Sequence, residues 1–107
     1  MRIKQDVLRI KNIYVPLVEL YLSKKIDGTT FSLDFINLIG DDQNITYDNL
    51  DYSILQAIFE DCDAYEPDAD MNNQPFEIDE IEFRKCCEIN LAKLKAIVAE
   101  YEAEHSL

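Results

Sequence analysis

The sequence predicts an all-α fold, a single-domain antiparallel four-helix bundle that spans residues 1–107. It contains only two glycines and three prolines, too few for the many tight turns of an all-β domain. Apolar residues recur every three or four positions in several stretches, which is the spacing of one helical face, and polar links separate these stretches. A chain of this length can bury one hydrophobic core without metal ions or disulfides.

A proline interrupts the first predicted helix. Its apolar face consists of Val7, Ile10, Tyr14, Leu17 and Tyr21. Pro16 lacks a backbone N–H and disfavours helical backbone at Val15. We therefore expect either a kink or two segments, the better of them running from about Pro16 to Lys24.

A turn at Asp27-Gly28 precedes the second predicted helix. We expect Thr29 or Thr30 to cap it, because a threonine hydroxyl can accept a hydrogen bond from a free N-terminal N–H. Gly40 is the expected end of this helix. Its apolar face consists of Phe31, Phe35 and Leu38.

The third and fourth predicted helices follow a polar loop. Thr46 can cap the third helix and Pro67 marks its end. Its apolar stripe consists of Tyr47, Leu50, Ile54, Ile58, Cys62 and Tyr65. The fourth helix extends from about Asp79 to Glu104, with acidic residues near its positive end. Its apolar stripe consists of Phe83, Cys87, Leu91, Leu94, Val98 and Tyr101.

The charges of this chain are segregated along the sequence. Its net charge is −12, and between Lys25 and Arg84 sixteen acidic residues occur with no lysine or arginine. A surface of one sign repels itself, so we expect a functional reason for it in the form of a cationic partner. The same charge would repel nucleic acid and anionic membranes, which argues against direct binding to either.

The sequence carries no catalytic, cofactor or metal signature. Its one histidine, His105, lies near the C-terminus in a segment expected to fray, and no glycine-rich phosphate loop is present. The three cysteines show no metal-ligand spacing and fit a reducing cytosol, and we expect at least one of Cys86 and Cys87 in the core. No stretch approaches the ~18 apolar residues of a membrane span. A non-enzymatic protein is predicted.

Six carboxylates crowd residues 60–70. Glu60, Asp61 and Asp63 lie in the last turns of the third predicted helix, where the helix dipole makes each anion cost about 0.3 to 1 kcal/mol. A local rule broken without structural gain indicates function, although a solvated helix end is the simpler alternative. Carboxylates three or four residues apart on a helix are about 5 to 6 Å apart at Cβ, close to the phosphate spacing of a nucleic-acid strand.

Two other classes of function remain open. An acidic adaptor or nucleic-acid mimic could block a different basic protein. A calcium site is the second alternative, because Asp68-x-Asp70-x-Asn72-Asn73 with Asp79 at position twelve is similar to an EF-hand loop. Asn73 replaces the expected glycine of that loop, and Asp79 replaces its bidentate glutamate.

Two motifs resemble a known family. The residues from Ala64 to Asp70, followed by Phe76-Glu77-Ile78-Asp79-Glu80, resemble the signature of colicin D-type immunity proteins, which are bacterial self-protective four-helix bundles. The stretch from Leu22 to Phe31 resembles the link between the first two helices of that family. The likeness covers roughly residues 17 to 96.

This resemblance implies an inhibitor that occupies the basic substrate cleft of a cognate tRNA-cleaving toxin. The toxin would be a colicin or the C-terminal domain of a contact-dependent growth inhibition protein, bound as a 1:1 complex in the bacterial cytoplasm. The positions that engage the toxin's active site in the family are Asp63 and Asp68 here. The remaining candidate contacts are Glu60, Asp61, Tyr65 as an aromatic anchor, Glu66 and Asp70.

Overall fold

A computed structural model describes residues 4–41, 50–66 and 78–105. These residues form four helices. Helix α1 comprises the consecutive segments Lys4–Arg9, Ile10–Tyr14 and Val15–Leu22, and it is followed by α2 (Gly28–Asp41), α3 (Leu50–Ala64) and α4 (Glu80–His105). The described residues contain one isolated β-bridge and no β-strand. The prediction of an all-α fold is therefore confirmed.

Each helix packs against two neighbours, in the circular order α1, α2, α3, α4. Helices α1 and α4 run in opposite directions, because successive contacts along α1 meet progressively earlier residues of α4. These contacts are Lys11 with Glu102 (3.0 Å), Glu19 with Lys95 (3.1 Å) and the Leu22 carbonyl with Arg84 (2.6 Å). The antiparallel arrangement of all four helices stays a prediction.

The interruption expected at Pro16 takes the form of a π-helical turn. Residues Ile10–Tyr14 are π-helical, and the Val15 N–H donates to the Ile10 carbonyl, five residues earlier. Pro16 falls in the first turn of the α-helical segment that follows, where a missing N–H costs little. Val15 keeps helical backbone angles, φ −58° and ψ −49°, although the residue before a proline disfavours them.

Helix α1 ends earlier than predicted. Lys24 adopts a left-handed conformation, with φ 66°, where glycine is usual. The Lys24 N–H donates to the Tyr21 carbonyl and the Lys25 N–H to the Leu20 carbonyl, at 3.0 and 2.9 Å. These two bonds form a Schellman motif, which satisfies carbonyls that the end of the helix leaves free and stops α1 at Leu22.

The cap of α2 also differs from the prediction. The Asp27 carboxylate accepts the Thr30 N–H at 2.7 Å, so an aspartate takes the place that we assigned to Thr29 or Thr30. This bond lowers the pKa of Asp27. The helix continues through Gly40 to Asp41, because Gly40 does not adopt the positive φ that ends helices. Thr46 and Tyr47 lie outside the described residues.

The predicted apolar stripes converge in one core. Its buried members are Ile10, Tyr14, Val15, Val18, Tyr21, Phe31, Phe35, Leu55, Ile58, Cys62, Phe83, Cys87, Leu94 and Ile97. Other stripe residues are only partly buried, namely Leu17, Leu38, Ile54, Tyr65, Leu91 and Val98. Cys87 is buried whereas Cys86 is partly exposed, which confirms the expectation for this pair.

Candidate functional site

The stretch without basic residues forms one half of the molecule. It supplies α2 and α3, two helices that pack against each other and contain no lysine or arginine. Four of their carboxylates are exposed, namely Asp34, Asp41, Glu60 and Asp63. Because α1 and α4 carry the basic residues that the other two helices lack, the α2–α3 half is an anionic surface.

Glu60 and Asp63 form the outer face of α3 near its C-terminal end. Both side chains are exposed, and residues three apart on a helix share a face. Among the described residues, neither carboxylate has an ion-pair partner. The two carboxylates are therefore available to cations of another molecule.

Asp61, between them in sequence, has a different environment. Its side chain is half-buried and faces α4. Burial raises the pKa of Asp61, the Cys86 thiol opposes this by hydrogen bonding, and the charges of Glu60 and Glu82 raise the pKa further. Asp61 thus points between two helices instead of presenting its charge outward.

Replacing Asp61 by asparagine is expected to stabilise the protein at pH 7. A pKa raised above the ordinary value of 3.8 means that ionised Asp61 disfavours the folded state. Because the side chain is only half-buried and solvent screens its charge, the expected gain in the free energy of unfolding is only about 0.5 kcal/mol. The gain should disappear below about pH 4, where the wild-type carboxyl is protonated in both states. Urea denaturation at pH 7 and pH 3.5 measures it.

The control for this substitution is Asp34→Asn, which removes an exposed charge from the middle of α2 and should change stability little. A loss of stability in Asp61→Asn at pH 7, or a gain that is the same at both pH values, would contradict the assigned environment of Asp61.

Tyr65 follows the last residue of α3 and is tied to α4. Its hydroxyl donates to Glu80 Oε2 at 2.7 Å, and its ring stacks on Phe83 with 4.5 Å between centroids. The backbone beside it forms an isolated bridge, in which the Glu66 N–H donates to the Ile78 carbonyl (2.9 Å) and the Ile78 N–H donates to the Ala64 carbonyl (3.0 Å). The described residues on either side of 67–77, Glu66 and Ile78, therefore lie side by side.

Two predicted contacts and most of the calcium pattern fall in that segment. Asp68 and Asp70 lie outside the described residues. Glu66, at the bridge, is half-buried. Asp79 caps α4, because its carboxylate accepts the Glu82 N–H at 2.9 Å. Among the described residues, no three His, Cys, Asp or Glu side chains are grouped to hold a metal ion.

The sequence did not reveal the role of Glu80. Its Oε1 accepts the Tyr21 hydroxyl at 3.0 Å, and Arg84 Nη1 lies 3.7 Å from the same oxygen. Burial, followed by the hydrogen bond to Glu80, raises the pKa of both Tyr21 and Tyr65, so the two hydroxyls stay protonated and keep donating. In the sequence, Glu80 is only one of several acids at the start of α4, and its partners are distant along the chain.

An open cavity of about 690 Å³ adjoins this group, and its wall includes Lys24 and Lys25 from the link between α1 and α2 and Gly28 at the start of α2. The lysines make this end of the bundle mixed in charge, in contrast to the outer face of α3. None of the described helices is long and apolar enough to cross a membrane.

Comparison with known proteins identifies a family. A profile described as bacterial self-protective colicin-like immunity matches residues 9–94. The match begins in α1, ends within α4 and includes both motifs that carry the resemblance. No curated protein and no solved structure matches the chain significantly. Because the match spans most of the sequence, the chain belongs to the colicin-like immunity family and is an immunity protein against a bacterial toxin.

Proposed function

We propose that this immunity protein inhibits a tRNA-cleaving toxin by placing its acidic α3 edge in the toxin's substrate cleft. The observation that carries the proposal is the segregation of charge. Helices α2 and α3 contain no basic residue, and Glu60 and Asp63 point outward from α3. A bundle does not need such a one-sign half for its own stability.

The mechanism is competition for a cationic cleft. A nuclease that binds tRNA needs positive groups where the phosphates lie, and helical carboxylates about 5 to 6 Å apart can occupy those positions. Complementary charge also speeds association, toward ~10⁸ M⁻¹s⁻¹ at low salt. The inhibitor excludes the substrate and performs no chemistry of its own. Binding before tRNA is cleaved requires that it act in the cytoplasm of the producing cell.

The acidic residues have unequal roles in this mechanism. Asp63, exposed on α3, and Asp68, just beyond Pro67, are the main contacts with basic active-site residues. Glu60 is exposed one turn before Asp63 and extends the same face. Asp61, which faces α4, adds to the negative field without direct contact. Glu66 and Asp70 are further contacts on either side of Asp68.

Tyr65 differs from an aromatic anchor whose whole side chain is free to contact a partner. Its hydroxyl is already bonded to Glu80, so only the exposed part of its ring is available to a partner. We propose that Tyr65 contacts the toxin through ring carbons and holds the acidic edge in place.

Binding to the toxin domain encoded beside this chain tests the proposal. The two proteins should co-purify as a 1:1 complex, measured by light scattering, and cleavage of tRNA by that domain should stop when the chain is added. Asp63→Ala and Asp68→Ala should each weaken protection of cells that express the toxin. Full protection by the double variant would refute the assigned site. Co-purification with a DNA-binding protein in place of the nuclease would favour the acidic-adaptor alternative.

A further inference from the structure

We propose that Glu80 is a positioning residue, which through two tyrosines fixes the isolated backbone bridge between Tyr65 and Ile78. The bridge lies next to the acidic edge assigned above, so the consequence for toxin binding rests on the proposed function. The effect of Glu80 on the bridge itself does not depend on that function.

The carboxylate of Glu80 joins three helices. One oxygen accepts the hydroxyl of Tyr21 from α1, and the other accepts the hydroxyl of Tyr65, which directly follows α3. Glu80 is itself the first residue of α4. Hydrogen bonds to an ionised acceptor are stronger than those between neutral groups, and here both oxygens are engaged at once.

Arg84 secures the α1 side of the same group. Its Nη2 donates to the Leu22 carbonyl at 2.6 Å, and its guanidinium lies 4.9 Å from the centre of the Tyr21 ring. The same guanidinium approaches Glu80 Oε1 at 3.7 Å. The end of α1 and the start of α4 are therefore held together on one side of the carboxylate.

Helix α2 confines Tyr65 on the opposite side. A Cβ atom placed on Gly28 would lie 2.5 Å from the Tyr65 hydroxyl oxygen and 2.7 Å from the adjacent ring carbon. Real Cβ atoms do not approach so closely, so glycine at the start of α2 leaves the space that the tyrosine occupies. With Phe83 stacked on its ring and Glu80 at its hydroxyl, Tyr65 has little freedom to move.

The side-chain bond and the backbone bridge belong to one closure. Ala64 and Glu66, the neighbours of Tyr65, supply the carbonyl and the N–H that pair with Ile78, and Glu80 follows Ile78 by two residues. Fixing Tyr65 against Glu80 thus holds the bridge shut. A contact surface that is already ordered before binding avoids the cost of ordering it on association, so the bond between Tyr65 and Glu80 should favour toxin binding in addition to any contact that the Tyr65 ring makes.

Hydrogen exchange measured by NMR tests the closure without a toxin. In Tyr65→Phe, the amides of Glu66 and Ile78 should exchange about tenfold faster, because loss of one hydrogen bond raises the population of the open bridge. The Tyr101 amide, at the opposite end of α4, should change by less than about twofold, because opening of that helix end leaves the bridge closed. The double variant Tyr21→Phe/Tyr65→Phe should enlarge the difference.

Tyr52→Phe is the matched control. It removes a hydroxyl that donates to Gln56 within α3, at 2.9 Å, and should leave the Glu66 and Ile78 amides unchanged. Unchanged exchange at these amides in Tyr65→Phe, or equal acceleration at Tyr101, would overturn the proposed closure.

The affinity of the protein for the toxin domain tests the part of the proposal that concerns binding. Tyr65→Phe should weaken binding about five- to tenfold at a temperature where circular dichroism shows the variant to be folded, whereas Tyr52→Phe should not weaken it. Asp63→Ala in the same assay reports on the proposed function. If Asp63→Ala weakens binding and Tyr65→Phe does not, the positioning role is wrong and the acidic site stands. If neither weakens binding, the proposed function fails, and exchange alone then decides whether the closure exists.

Discussion

Replacing Glu60 and Asp63 together by arginine is expected to weaken binding of the toxin domain by about 100-fold or more. Both side chains point away from the core and neither has an ion-pair partner among the described residues, so the fold should tolerate the change. A cleft built to hold phosphates would then face two cations where it now faces two anions. Like charges brought together at an interface cost several kcal/mol.

The measurement is the dissociation constant at two salt concentrations. Glu88→Arg/Glu104→Arg is the control, because it changes the net charge equally on exposed positions of α4. The control should keep most of the affinity, and added salt should weaken the wild-type complex. If both double variants lose affinity to the same extent, overall charge governs binding and the α3 edge is not the contact surface.

Truncating Phe83 to alanine is expected to lower the free energy of unfolding by about 3–5 kcal/mol. Phe83 is fully buried and lies at the centre of an aromatic cluster. Its ring centre is 5.3 Å from that of Tyr21, 5.8 Å from that of Phe31 and 4.5 Å from that of Tyr65. At one end of the bundle the cluster brings together side chains from α1, α2 and α4 and Tyr65, which follows α3. The cavity left by alanine therefore cannot close without moving several helices.

Urea denaturation, monitored by far-ultraviolet circular dichroism, measures this loss of stability. Ile81→Ala is the control on the same helix, because Ile81 is 69% exposed and its truncation should cost less than about 0.5 kcal/mol. A cost below about 1 kcal/mol for Phe83→Ala would show that this cluster is not the stabilising core. Cells that carry the variant should also lose protection, since a destabilised inhibitor is degraded more readily.

The sequence predicted the helices well because their signal is local. Apolar residues at helical spacing mark a buried face whatever the neighbouring helix is, and the stripes of α1 and α4 are largely buried as expected. Helix ends were harder to predict. Asp27, Thr29 and Thr30 are all suitable caps within four residues, and only the path of the chain selects the aspartate. No residue in the sequence predicts the π-helical turn before Pro16.

The candidate site depended more on tertiary structure. Asp61 and Asp63 are equivalent by charge and position in the sequence, and the placement of α4 beside Asp61 separates their environments. Glu80 gains its partners from Tyr21, 59 residues away, and Tyr65, 15 residues away. Contacts between residues so far apart follow no periodic pattern, so a single sequence does not indicate them.

The burial of Cys62 and Cys87 has a consequence for how this protein withstands oxidants. Burial raises the pKa of Cys62 to about 12 and also raises that of Cys87, so neither sulfur is a thiolate at neutral pH. The partly exposed Cys86 has a raised pKa too, through burial and the nearby charge of Asp61. Because peroxides and disulfides react with the thiolate form, all three sulfhydryls should be slow redox partners. Oxidation of these thiols at neutral pH should therefore be slow, most of all for the buried Cys62 and Cys87.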